Sequence, residues 1–281
     1  MPEIRVALVS PLCELGAVES NLNRFAEWTR KAAGDGARFV GFPEMAISGY
    51  AHESRLLPCA EAVPGPSVAF LEQLAAELLV YISAGTLEKD GEGYHNTQVL
   101  VGPDGYMGKY RKHFPTQDER DTLHTDPGTE YPVFDLDGIT FGINICADSR
   151  EIETIAALAD QGVELVHSPH ANVTPHLGTD AESWTRGKLC YYVERCLRCR
   201  AHILLNNIAG TVPDFDGNER TYASGCMILD PLGQVVARST EHNTEEKMIV
   251  ETINTDIERY VPPFEAWREY MQKAARNRGE E

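Results

Sequence analysis

Apolar runs too short for helices place the strongest constraint on this chain. Residues 4–10, 38–42, 80–87, 96–101, 131–136, 139–145, 163–168, 203–209, 223–229, 235–238 and 247–253 have strand length and strand composition. Some alternate with helical stretches, at 17–33, 68–79, 150–161 and roughly 181–200. Others are joined by the turn chemistry of Pro103-Asp104-Gly105, Asp137-Gly138 and Asp230-Pro231-Leu232-Gly233. A chain that mixes βαβ units with hairpins builds mixed sheets, and the helices must cover them from outside, so the expected class is α/β with two mixed sheets.

Local chemistry adds detail. Ser67 is expected to cap the helix that follows Pro64-Gly65-Pro66, and Asp148 with Glu151 to form a capping box for 150–161. The polar stretches 117–128 and 169–180 read as long loops, and loops of that length inside a domain usually carry function. Residues 264–276 read as a helix and 276–281 as a frayed end. No Pro/Gly/Ser-rich linker interrupts the 281 residues, so one domain is expected over 1–281, with a C-terminal tail from about 256.

Formal net charge is -18, from 43 acidic and 25 basic residues. Such a field repels phosphate backbones and anionic lipid, which argues against nucleic-acid and membrane-surface partners. No run approaches the roughly 20 apolar residues of a membrane helix, and residues 1–5 lead directly into a strand rather than a signal peptide. Cytoplasmic location is the expectation. The seven cysteines are an odd number at low density, as suits reduced thiols.

Three ionisable residues end strand-like runs. Glu44 follows Phe42-Pro43, Lys112 follows Tyr110-Arg111, and Cys146 ends the run Phe141-Gly142-Ile143-Asn144-Ile145 just before Ala147-Asp148-Ser149-Arg150. A strand-to-helix turn presents a side chain outward, and the N–H groups and dipole of the next helix favour a thiolate or an oxyanion. The competing reading of Cys146 is a small buried hydrophobe, and that of Glu44 an acid at a strand end on the surface. A carboxylate base, a cation and a thiol are together the parts that acyl transfer from an amide requires.

The stretches Phe42-Pro43-Glu44-Met45-Ala46-Ile47-Ser48-Gly49-Tyr50, Tyr110-Arg111-Lys112-His113-Phe114-Pro115 and Gly142-Ile143-Asn144-Ile145-Cys146-Ala147-Asp148-Ser149-Arg150 resemble the three signatures of the nitrilase superfamily of carbon-nitrogen hydrolases, in order. Asp230-Pro231-Leu232-Gly233-Gln234-Val235-Val236 is similar to the family's closing hairpin, so the resemblance covers nearly the whole chain. It implies a four-layer αββα sandwich, assembled as a homodimer or larger homo-oligomer, with a Glu-Lys-Cys triad and no cofactor or metal. Glu44 would be the general base, Cys146 the nucleophile, and Lys112 the holder of the oxyanion. A second glutamate after the lysine motif positions substrate in the family, and Glu119 matches it, with Asp121 as the alternative. Tyr50, Ala147, His170 and Ala171 would lie at the substrate.

Departures from the family pattern bear on substrate. The amidase branches carry an aromatic residue after the cysteine and nitrilases a Trp-Glu pair, where this chain has Ala147-Asp148. The spacing of Asp148 and Arg150 is closer to amidases and N-carbamoyl hydrolases. Arg150 would then bind a substrate carboxylate, or else pair with Glu151 or Glu153 beside it. The implied activity is a thiol amidohydrolase acting on a small amide or N-carbamoyl compound. A true nitrilase and a silent, partner-binding protein of the same fold are the alternatives. Cys196, Cys199 and His202 lack a fourth zinc ligand and read as packing residues, Trp184 and Tyr191 as core or interface, and His167, His170 and His176 as solvated or supporting groups near the pocket.

Overall fold

The computed structural model describes residues 3–175 and 178–256, together with Lys273. Apart from Lys273, the expected helix at 264–276 and the tail beyond 256 lie outside the described residues, as does His176. In chain order the elements are β1 (Glu3–Ser10), α1 (Val18–Gly34), β2 (Phe39–Gly41), α2 (Pro66–Leu78), β3 (Tyr81–Asp90), β4 (Gly93–Gly102), β5 (Gly105–Arg111), α3 (Gln117–Leu123), β6 (Val133–Leu136), β7 (Ile139–Ile143), α4 (Ile152–Asp160), β8 (Leu165–Pro169), α5 (Ala181–Cys199), β9 (His202–Asn206), β10 (Ala209–Pro213), β11 (Glu219–Ala223), β12 (Cys226–Leu229), β13 (Val235–Arg238) and β14 (Lys247–Asn254).

Two six-stranded sheets result, in the orders β14-β1-β2-β3-β4-β5 and β13-β12-β9-β8-β7-β6, beside a β10-β11 ribbon. Each sheet is mixed: β1-β2-β3 and β7-β8-β9 pair in parallel, and hairpins extend them antiparallel. Alternation along the strands then fixes the layers, because successive side chains leave opposite faces. Val6 and Leu8 of β1 join Phe39, Phe141, Ile143, Leu165, Leu204 and Ile228 in a core between the two sheets. Ala7 and Val9 face the other way, onto Leu22 and Phe25 of α1 and Leu71 of α2. Val166, Ile203 and Leu205 leave the second sheet outward and meet Ile155 and Leu158 of α4 and Trp184 and Tyr192 of α5. The order is helix, sheet, sheet, helix, an αββα sandwich.

Several local expectations are corrected. The cap of α2 is Gly65, with Pro66 in its first turn, and Ser67 instead hydrogen-bonds Glu61 through both its N–H and its hydroxyl. The expected loop at 117–128 begins with α3, capped reciprocally by Thr116 and Glu119. Residues 203–209 and 223–229 do not continue as single strands. The chain breaks at Asn207 and at Ser224-Gly225, and the segments between form the β10-β11 ribbon. Asp148 and Glu151 do not form a box on α4: Glu151 stands at its N-cap without a side-chain bond, α4 starts at Ile152, and Asp148 belongs to the 3-10 turn over Cys146–Arg150 that precedes it.

Candidate active site

Three loop starts converge at one end of the sandwich. β2 stops because Pro43 has no N–H to continue the ladder. The turn that carries Glu44 instead folds onto β3, with the Gly85 N–H donating to Pro43 O at 3.2 Å and the Ile47 N–H to Gly85 O at 2.9 Å. A Cβ on Gly85 would lie 2.2 Å from Met45 N, so only glycine admits this approach. Lys112 follows β5, its N–H donating to Asn96 O and its carbonyl accepting from the Gly128 N–H. Cys146 follows β7 with φ +45°, a left-handed conformation uncommon outside glycine.

The side chains meet as a buried charge cluster. Lys112 Nζ donates to Glu44 Oε1 at 2.6 Å and to Glu119 Oε2 at 2.8 Å, and all three residues are essentially sealed from solvent. Asn96 Nδ2 donates to the same Glu44 oxygen at 2.9 Å and to Glu119 Oε1 at 2.6 Å. Glu119 also accepts from the Thr116 N–H, so each of its oxygens is engaged. Glu44 Oε2, by contrast, is buried without a hydrogen-bond partner among the described residues.

Charge states follow from this packing. Burial opposes the Lys112 charge, but Glu119 and Glu44 outweigh it and hold the ammonium well above the ordinary lysine range. Burial also pushes the Glu119 carboxyl up, and Lys112 with the Thr116 and Asn96 hydrogen bonds brings it below the usual carboxylate value. The Cys146 thiol is pushed up to about 12, first by burial and then by Glu44, against the pull of Lys112 and Lys188. Burial and the Glu44 charge thus favour the thiol over the expected thiolate at Cys146.

Cys146 opens onto a cavity of about 440 Å³ lined also by Ser149, Arg150, Asn172, Lys188 and Tyr191. Asn172 Nδ2 approaches the sulfur at 3.7 Å, and Trp184 Nε1 fixes the amide by donating to Asn172 Oδ1 at 3.0 Å. Trp184 is core, as expected, and Tyr191 reaches the cavity instead. Arg150 lines the cavity and forms no ion pair with Glu151 or Glu153.

The remaining singled-out residues sit around this centre. Tyr50 is buried with its hydroxyl 2.8 Å from His52 Nε2, and after burial itself the charges of Glu119 and Glu44 push that hydroxyl up. Ala147 and Ala171 are buried. His170 is buried as well, its Nδ1 at Ser168 O and its Nε2 at the Tyr192 hydroxyl, and His167 lies between the sheets, so neither is solvated. Asp121 is exposed and accepts from Gln117, away from Lys112, whereas Glu119 is at the cluster. Asp148 turns inward and accepts from Tyr110, Phe114 N and Ile145 N.

Asn96, Asn172 and Lys188 escaped the reading of the sequence. Lone amides on a strand or loop carry no periodic signal, and Lys188 reads as a solvated helix position. Cys196 and Cys199 pack into the outer core under the second sheet. Among the described residues, one group of three side chains has metal-ligand spacing, Asp180, Glu182 and His242, and Asp180 there caps α5.

Comparison with known proteins agrees with this geometry. The family model described as carbon-nitrogen hydrolase matches residues 5–260. A nitrilase of Pyrococcus abyssi is 30% identical over 262 residues, covering 91% of this chain and 92% of its own. The human omega-amidase NIT2 is 29% identical, covering 94% and 95%. Among solved structures, a CN-hydrolase superfamily protein of Xanthomonas campestris superposes with a TM-score of 0.77 at 20% identity, over 90% and 91% of the two chains. An amidase of Nesterenkonia superposes with a TM-score of 0.74 at 18% identity, over 95% and 96%. The chain belongs to the carbon-nitrogen hydrolase family of the nitrilase superfamily.

Proposed function

We propose that the protein is a thiol amidohydrolase that cleaves the C–N bond of a small amide or N-carbamoyl compound through a Cys146 thioester. The observation that carries this reading is the division of labour on Glu44. Its Oε1 is committed to Lys112 and Asn96, while its Oε2, buried and without a partner, is available to take the thiol proton. A thiol held near 12 needs that base at the moment of attack.

Sulfur adds to the carbonyl carbon as Glu44 accepts the proton, and Lys112 with the Ala147 N–H stabilises the oxyanion. Collapse expels ammonia or an amine, protonated by Glu44. Water then adds to the thioester, again with Glu44 as base, and the acid leaves as the thiol reforms. Glu119 holds Lys112 in place through both carboxylate oxygens. Tyr50, Ala147, His170 and Ala171 shape the surroundings of the substrate.

The omega-amidase relatives and the amidase structures favour this reading, and the relatives named nitrilases keep nitrile hydrolysis as the second. We place the enzyme in the cytoplasm as a homo-oligomer without cofactor or metal, acting on small molecules rather than on nucleic acid or membrane. All seven cysteines are free thiols, and no helix among the described residues is long and apolar enough to cross a membrane.

Ammonia release over a panel of ω-amides, N-carbamoyl amino acids, N-carbamoyl amines and nitriles, by wild type and Cys146→Ala, tests the assignment. Release from an amide or N-carbamoyl class that disappears in the variant is expected. Release from nitriles alone would replace it with the nitrilase reading, and silence across the panel would indicate a protein that acts through partners.

A further inference from the structure

The core-facing stripe of α5 contains one residue of the wrong chemistry. Ala181, Trp184, Thr185, Tyr192, Cys196 and Cys199 are buried along it, and Lys188 sits in its middle, one turn from both Trp184 and Tyr192 and only 8% exposed. A lysine in such a stripe is normally paired. Its ammonium makes no hydrogen bond or ion pair among the described residues, and it lies over the Trp184 ring, 5.5 Å from the centroid. The side chain lines the same cavity as Cys146, and Arg150, equally without an ion pair, lines it too.

An ammonium buried at the nucleophile's cavity without a counter-charge in contact is a cost to the folded protein that an anionic ligand removes, and the exposed Arg150 guanidinium on the same cavity adds to the attraction. Burial lowers the lysine to about 8, with Cys146 and Glu44 drawing it up and Arg150 down, so it remains cationic near neutrality. We propose that Lys188, with Arg150 beside it, seats a carboxylate carried by the same molecule as the scissile amide, and so makes this site selective for anionic substrates. The proposal rests on the amidohydrolase reading given above and adds to it the residue that selects among amides.

Two pairs of reagents test it. Succinamate and butyramide have the same chain length and differ in a carboxylate at the end remote from the amide. Iodoacetate and iodoacetamide differ by a carboxylate in place of the amide beside the reacting carbon, and report on Cys146 by mass-resolved alkylation whether or not turnover occurs. In the wild type the anionic member of each pair is expected to be preferred at least tenfold. In Lys188→Met both preferences should fall at least tenfold, and in Lys188→Arg they should persist. Lys188→Gln supplies the same comparison should the methionine variant not fold.

Hydrolysis of both amides without preference overturns the carboxylate seat and leaves the amidohydrolase reading standing. Equal slowing of both alkylating agents in Lys188→Met also overturns it, because the lysine would then be acting on the thiol. A Lys188-dependent preference for iodoacetate without hydrolysis of either amide supports the seat, and the amidohydrolase reading then falls if the full panel of amides and N-carbamoyl compounds is silent as well.

Discussion

Replacing Lys112 by methionine tests whether the site is held by charge compensation. Lys112 Nζ lies 2.6 Å from Glu44 Oε1 and 2.8 Å from Glu119 Oε2, and none of the three residues is more than 1% exposed. Methionine keeps most of the stem and removes the charge, leaving two carboxylates facing each other away from water. Breaking a buried pair from one side costs about 3–5 kcal/mol. Like charges so placed take up a proton, and each pH unit is then worth about 1.4 kcal/mol per proton bound. The sign follows: the folded variant holds a carboxyl whose pKa lies above its unfolded value, so the deficit is full at high pH and shrinks as pH falls. Urea unfolding should show a loss of about 4 kcal/mol at pH 8 and half of that or less at pH 5.5. Adding Glu44→Gln should recover stability, because Glu44 Oε2 has no partner to lose and the amide removes one of the opposed charges. A deficit under about 1 kcal/mol that does not vary with pH, or a double variant weaker than the single one, would refute the reasoning.

Three further predictions follow from neighbouring contacts. Asn172→Ala removes the donor at Cys146 Sγ, and one hydrogen bond of about 1 kcal/mol corresponds to roughly a fivefold loss of kcat, with Trp184→Phe reproducing part of it through the freed amide. A variant rate equal to wild type for both would show that the asparagine does not position the thiol. Gly85→Ala forces the Glu44 turn away from β3 and should lower kcat/KM by about a hundredfold, with circular dichroism unchanged. Burial raises the Asp148 carboxyl from 3.8 to about 7, against the pull of Lys112 and the Phe114 N–H, so the folded form binds the proton more tightly and stability declines as pH rises from 4 to 7. That decline, on the order of 4 kcal/mol, should flatten in Asp148→Asn, measured by urea unfolding across that range, and an unchanged slope would remove Asp148 as its source.

The parts of the fold legible in the sequence were those with a period. β1, β7 and α5 appear within a few residues of where apolar alternation puts them, because one face of each must be buried. What escaped was specified by contacts distant in sequence. α3 is short and acidic, yet Thr116 with Glu119 three residues on already has the form of a capping box, which could have located it. Asp148 carries the same pattern but serves the 3-10 turn rather than α4, accepting from the Ile145 N–H while the Tyr110 hydroxyl on the facing sheet draws it inward. At the site, Glu44, Lys112, Glu119 and Cys146 were readable from motif and residue type. Asn96 and Asn172 were not, because their relevance arises only once β4 and the loop after β8 lie beside the cluster. Lys188 was hidden for a different reason: a lysine in a helix is assumed to be solvated, and only the burial of its neighbours at 184 and 192 shows that it is not.

The charge cluster and Cys146 come from opposite sheets, and this locates what must be rigid. Glu44 and Lys112 extend the first sheet, Cys146 and Asn172 the second, so their separation is set by how the sheets seat on one another rather than by either alone. Hydrophobic contact sets the distance between sheets but resists sliding weakly, being non-directional. Hydrogen bonds across the gap supply the direction. Asn206 on β9 donates to Val9 O and Gly41 O at 2.8 Å each, and His167 on β8 meets Ser83 on β3 at 3.0 Å. Gly41 allows this contact, for a Cβ there would lie 2.8 Å from His167 Nε2. Burial lowers His167 to about 4, against the Asn206 hydrogen bond, so the ring stays neutral and accepts at one nitrogen while donating at the other. A polar seam in an otherwise apolar core is costly unless every group is paired. Here it joins β2, which leads to Glu44, and β8, which pairs with the strand that leads to Cys146, so a fixed offset between the sheets becomes a fixed distance between Glu44 and Cys146.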